Sequence, residues 1–188
     1  MSPSARAKSV LAVAAAAMLA GCSGAVIGHD YHDYGYGPGE WSGNDMPMLV
    51  RGTPFAAPQA EIDQAVADAM QGTTFGVPTR FVPAAPGASP AYRVVMVFGP
   101  PPGLDGYALC AVRPEPPNAL FGAPPAARVE LLAAFCRGDR TITSADGTVP
   151  TGSGPGGAEF RQAIAQFAYT LFPGHMFDKP GNDKPTHT

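Results

Sequence analysis

Proline and glycine punctuate this chain so densely that only short elements of secondary structure fit between them. There are 23 glycines and 22 prolines among 188 residues, roughly twice the ~12% share of an ordinary globular chain. Proline removes a backbone donor and glycine loses the most freedom on ordering, so regular structure must lie in the intervals they leave. The clearest interval follows Pro58. Ile62, Ala65, Val66, Ala69 and Met70 recur with helical period, Gln59, Asp63, Gln64 and Asp68 fill the opposite side, and Gly72 supplies a stop. This predicts an amphipathic helix with one side to bury. A second helix is predicted from about Ala158 to Phe172, where Phe160, Ala163, Ile164, Phe167, Ala168 and Leu171 form an apolar stripe and Pro173-Gly174 ends it. That stripe is read as a core-packing face rather than a lipophilic groove.

Strands are predicted in the remaining intervals. Tyr92 to Phe98 is a nearly continuous apolar run, as expected of a central strand buried on both faces. Arg128 to Cys136 places Val129, Leu131, Ala133 and Phe135 on one face. Shorter strands are expected at Met48 to Gly52, Thr79 to Val82 and Tyr107 to Val112, with a hairpin turn at Arg137-Gly138-Asp139-Arg140 leading into Thr141 to Thr143. Gly147 to Gly157 reads as a glycine-rich connection. Together these predict an α+β fold, a mainly antiparallel sheet of four to five strands with two helices packed on one face.

The amino terminus has a different character. Arg6 and Lys8 precede an apolar run from Val10 to Met18, which ends in Leu19-Ala20-Gly21-Cys22. The uncharged stretch is too short for the ~20 residues that span a bilayer, whereas the layout suits a secretory signal. Its exit resembles the lipobox of bacterial lipoproteins. The resemblance implies that residues 1–21 are a removed signal peptide. It also implies that Cys22 carries a diacylglycerol thioether and an acylated amino terminus, palmitate being the usual kind of chain. Ser23 in place of aspartate implies delivery to the outer membrane, with the domain facing the periplasm. Residues 22–45, with the tandem His29-Asp30-Tyr31 and His32-Asp33-Tyr34, are expected to be a lipidated flexible tether. A single α+β domain is expected over 46–177 and a disordered tail over 178–188.

Export also bears on the other two cysteines. With Cys22 assigned to the anchor, Cys110 and Cys136 remain in an oxidising compartment, where two such thiols pair. No C-x-x-C spacing exists to suggest redox chemistry. The formal charge of −3 becomes −5 once Arg6 and Lys8 are removed. A mildly acidic chain lacks the clustered cations that nucleic-acid binding requires, so no nucleic-acid partner is expected.

Motifs for catalysis are sparse. G-x-S-x-G, S-x-x-K and H-E-x-x-H are all absent. Gly152 to Gly157 matches G-x-G-x-x-G, but no βαβ unit follows it, so no dinucleotide cofactor is expected. His29, Asp30, His32 and Asp33 are the densest metal-type ligands, yet a tether supplies no second shell to hold a metal, and none is assigned. Asp105, Arg137, Asp139 and Arg140 flank the expected bridge and could form a polar rim for a partner. These readings converge on a non-enzymatic binding or accessory module of the cell envelope, membrane-bound through Cys22, with an envelope protein or glycan as partner. A carrier of a hydrophobic ligand and an envelope hydrolase are the alternatives.

Overall fold

The computed structural model describes residues 26–30, 44–74, 78–88, 90–111 and 127–173. Expectations that fall on Leu19-Ala20-Gly21-Cys22, on His32 and Asp33, on Val112 and on the tail 178–188 lie outside the described residues. Within them the chain runs β1 (Ile27–Asp30), β2 (Asp45–Arg51), α1 (Gln59–Met70), β3 (Arg80–Pro83), β4 (Tyr92–Phe98), a short 3-10 turn (Leu109–Ala111), β5 (Arg128–Arg137), β6 (Arg140–Pro150) and α2 (Ala158–Leu171). The architecture is α+β, and the strands form one sheet in the order β1-β6-β5-β4-β2-β3.

The sheet departs from the expectation in two ways: it has six described strands, and it is mixed. β4–β5, β5–β6 and β6–β1 are antiparallel, while β2 pairs in parallel with both β3 and β4. The physical reason is the first helix. α1 lies between two strands and returns the chain across the sheet, so β3 must lie parallel to β2, as in any βαβ crossover. The connection 84–91 then carries the chain back to begin β4 on the other side of β2.

Both helices pack on one face, as the periodicities predict. Ile62, Val66, Ala67 and Met70 of α1 and Phe160, Ala163, Ile164, Phe167, Ala168 and Leu171 of α2 are buried with Val94, Met96 and Phe98 of β4 and Leu131, Ala133 and Phe135 of β5. Phe172 is the hinge of this core, its ring centroid 4.8 Å from that of Phe135 and 5.7 Å from that of Phe81. Thr143 Oγ1 donates to the Leu171 carbonyl at 2.7 Å, fastening β6 to the end of α2.

The opposite face has its own smaller core of Val95, Val97, Leu132, Ala134 and Cys136, covered by Leu104, Leu109 and Cys110. This two-sided burial accounts for the unbroken apolar run of β4. It also corrects the expected strand at Tyr107 to Val112. A disulfide joins Cys110 to Cys136 with their Cα atoms 5.5 Å apart, so Cys110 lies over the sheet face rather than in the sheet plane, and the backbone there coils into a 3-10 turn.

Two further strand boundaries differ from the sequence reading. β6 runs eleven residues, from Arg140 through Gly147 to Pro150, because the whole length of β5 lies beside it as a template. Its hairpin forms at the expected place, with Gly138 at φ 56° in the first central position, where a left-handed residue is required. β1 falls inside the stretch expected to be a tether. Its four residues pair with Thr143 to Asp146 of β6, and a Cβ added to Gly28 would sit 2.5 Å from Thr170 Cγ2. Glycine thus permits the arm to lie close against α2.

Candidate functional site

Alternation along the strands sends one residue in two away from the helices. On β5 these are Glu130, Leu132, Ala134 and Cys136, and the register sets Thr148 beside Glu130 and Asp146 beside Leu132 on β6, with Ser144 opposite His29 on β1. The 99–111 segment covers the β4–β5 half of this face and reaches the start of β6, where Thr141 Oγ1 donates to the Gly106 carbonyl at 2.9 Å. Over the β5–β6–β1 half lies a cleft of about 570 Å³. Its walls combine the apolar Pro100, Leu104 and Leu132 with four titratable side chains, His29, Asp105, Glu130 and Asp146.

The polar groups come from four different segments. Asp105 Oδ1 accepts the Ala108 N–H at 2.8 Å, an aspartate turn that shapes the covering loop. Glu130 and Asp146 are the outward residues of their strands. His29 arrives on β1, and its Nε2 lies 3.1 Å from Asp146 Oδ1, both side chains about half exposed. Among the described residues lining the cleft there is no lysine or arginine, and Arg128 reaches its border by donating to Thr148 Oγ1 at 3.3 Å. Among the described residues, no three His, Cys, Asp or Glu side chains are grouped to hold a metal ion.

The residues expected to form a rim are divided between two places. Asp105 belongs to the cleft, whereas Arg137, Asp139 and Arg140 surround the β5–β6 hairpin and do not line it. The Arg137 guanidinium carbon sits 5.8 Å from the centroid of the Tyr92 ring, a cation–π distance. Asp139 Oδ1 lies 3.9 Å from the guanidinium of Arg93. Of the metal-type candidates, His29 is in the cleft and Asp30 ends β1.

Arg93 is the buried cation of this face. Its guanidinium donates to the Cys110 carbonyl at 2.8 Å and to the Pro90 carbonyl at 3.1 Å. Burial lowers its pKa from the ordinary arginine value, and the nearby Asp139 carboxylate opposes that shift. Arg93 therefore fastens the disulfide turn from beneath and ties it to the start of β4: a side chain with five donors satisfies one carbonyl of the turn and one of the approach to β4. Sequence reading missed Arg93, Glu130 and Asp146. The available signal was a charged residue within an apolar strand, visible at Arg93 and Glu130.

No family model matches the chain, and no curated protein does. Among solved structures, the chain is similar to a PelC dodecamer from Paraburkholderia phytofirmans. The TM-score is 0.44 at 14% identity, covering 79% of this chain and 97% of that one. A single-substitution variant of that PelC dodecamer gives the same TM-score of 0.44 at 13% identity, covering 79% of this chain and 98% of the other. Both likenesses are distant.

Proposed function

We propose that this protein is a lipid-anchored, non-enzymatic binding module of the bacterial outer membrane, facing the periplasm, and that the cleft on the loop-covered face is where it engages an envelope protein or glycan. The observation that carries this reading is the position of β1. The strand that brings His29 into the cleft begins five residues after Cys22, a stretch able to span at most about 17 Å. A lipid on Cys22 then holds the cleft within reach of the bilayer surface while β1 is paired. The anchor and the site thus share one short arm, and confinement near the membrane raises the effective concentration of any partner located there.

A carrier of hydrophobic ligands would use the interval between α2 and the sheet. The side chains of that interval are packed against one another, with Phe98–Phe160 and Phe135–Phe172 centroid distances of 6.1 and 4.8 Å, which favours a core over a groove. A hydrolase would use the His29–Asp146 pair, but the one hydroxyl among the described residues lining the cleft, Thr148 Oγ1, is engaged by Arg128 at 3.3 Å.

Two measurements test the proposal separately. Mass spectrometry of the cellular product should show a chain beginning at Cys22 with glyceride and fatty acid; an intact Met1 species without lipid would refute the anchor. Crosslinking in intact envelopes, comparing the wild type with a Glu130→Lys, Asp146→Lys double variant, should lose its adducts in the variant. Equal adducts from a correctly folded variant would refute the cleft.

A further inference from the structure

The β3 edge of the sheet is closed by a side chain. In a parallel pair, alternate residues direct both main-chain groups to the partner strand. With Met46 opposite Phe81, and Ala84 donating to the Met48 carbonyl at 2.9 Å, the residues of β3 that face β2 are Arg80 and Val82. Phe81 and Pro83 therefore present their main-chain groups outward. Gln71, the residue that caps α1, meets them. Its Nε2 donates to the Phe81 carbonyl at 2.7 Å and to the Ala67 carbonyl at 3.1 Å, and its Oε1 accepts the Phe81 N–H at 3.3 Å. One carboxamide thus forms the same donor and acceptor pair that a residue of a neighbouring strand would form. The next outward position is Pro83, which has no N–H to offer.

We propose that Gln71 is a strand surrogate that holds the β3 edge shut, and that the occupant it excludes is β3 of a second copy of this chain. Once uncovered, the pair on Phe81 is self-complementary: two such residues in antiparallel register exchange both N–H···O bonds about a two-fold axis. Edge strands carry this hazard generally and are protected by prolines and by covering groups. Here the two devices are adjacent, a proline at position 83 and a carboxamide over position 81. The consequence is that partner binding is directed away from this edge.

The test is sedimentation velocity of the wild type and of Gln71→Leu over a wide concentration series, with amide exchange followed at Phe81. Leucine keeps the bulk of the stem and removes all three bonds, the two to Phe81 among them. The variant should move from its wild-type mass to twice that mass as concentration rises. Its Phe81 amide should exchange fast when dilute and slowly when concentrated, whereas exchange in the wild type is independent of concentration. A variant mass equal to wild type at every concentration overturns the proposal. So does association with no concentration dependence at Phe81. If Gln71→Leu does not fold, Gln71→Ala, which removes the same bonds to Phe81, is read in the same way.

Discussion

The two faces of the sheet are built on different principles. The helix-covered face is a continuous core of large side chains, Phe81, Phe98, Phe135, Phe160, Phe167 and Phe172 among them, all nearly inaccessible to water. The opposite face has a few small residues, a disulfide and a buried arginine over one half, and an open cleft over the other. The contrast teaches that the first face supplies cohesion by burial and lets the second carry polar groups. A face held by covalent and hydrogen-bonded fastenings needs little apolar area, so it leaves room for a site.

Substitutions that remove one mode of cohesion at a time test this contrast. Phe167→Ala on the helix face should cost about 3–5 kcal/mol, the range for a buried aromatic truncation, as measured by denaturant unfolding; a loss below about 1 kcal/mol would mean that this face is not the main source of stability. Replacing Cys110 and Cys136 by serine and alanine should cost about 2–4 kcal/mol. Amide exchange should then rise in the 99–111 segment while the helices keep their protection. Equal loosening of both faces would dissolve the distinction.

A smaller effect is expected at Gly28→Val, whose side chain would collide with Thr170. It should release residues 27–30 to fast exchange with little change in global unfolding, since an edge strand opens locally. The smallest concerns Asp63 on α1. Burial raises its pKa from the ordinary value, against the opposing effects of the Gln59 hydrogen bond and the Arg51 charge. A raised carboxyl binds its proton more tightly when folded, so its contribution favours the folded state in acid and is lost as pH rises through the folded pKa. Asp63→Asn should therefore gain stability relative to wild type as pH rises from acid through that pKa to neutrality. Because the group is half exposed, the gain should stay below about 0.5 kcal/mol. Thermal melts across that window measure it; a difference independent of pH would remove Asp63 from the account.

Much of the helix-covered face was legible in the residues themselves. Helical periodicity exposes the stripes of α1 and α2, and alternation exposes Val129, Leu131, Ala133 and Phe135, because a repeating pattern reports a face wherever the element finally sits. The Arg137 to Arg140 turn was legible for a similar local reason. The cleft was not. Asp105 could be singled out beside the cysteine, but Glu130 and Asp146 are brought together by the β5–β6 register and His29 by the pairing of a strand only four residues long. None of those contacts leaves a local trace.

Sequence by itself determined which segments are helical, where the β5–β6 chain reversal falls and which faces are apolar, since all three depend on neighbours within a turn or a strand. Only tertiary structure decided that β2 pairs in parallel, that Ile27–Asp30 is a strand and that Cys110 sits on a turn above the sheet. Each of these depends on backbone groups or sulfurs distant along the chain, and a partner that far away is selected by packing, not by the residues on either side.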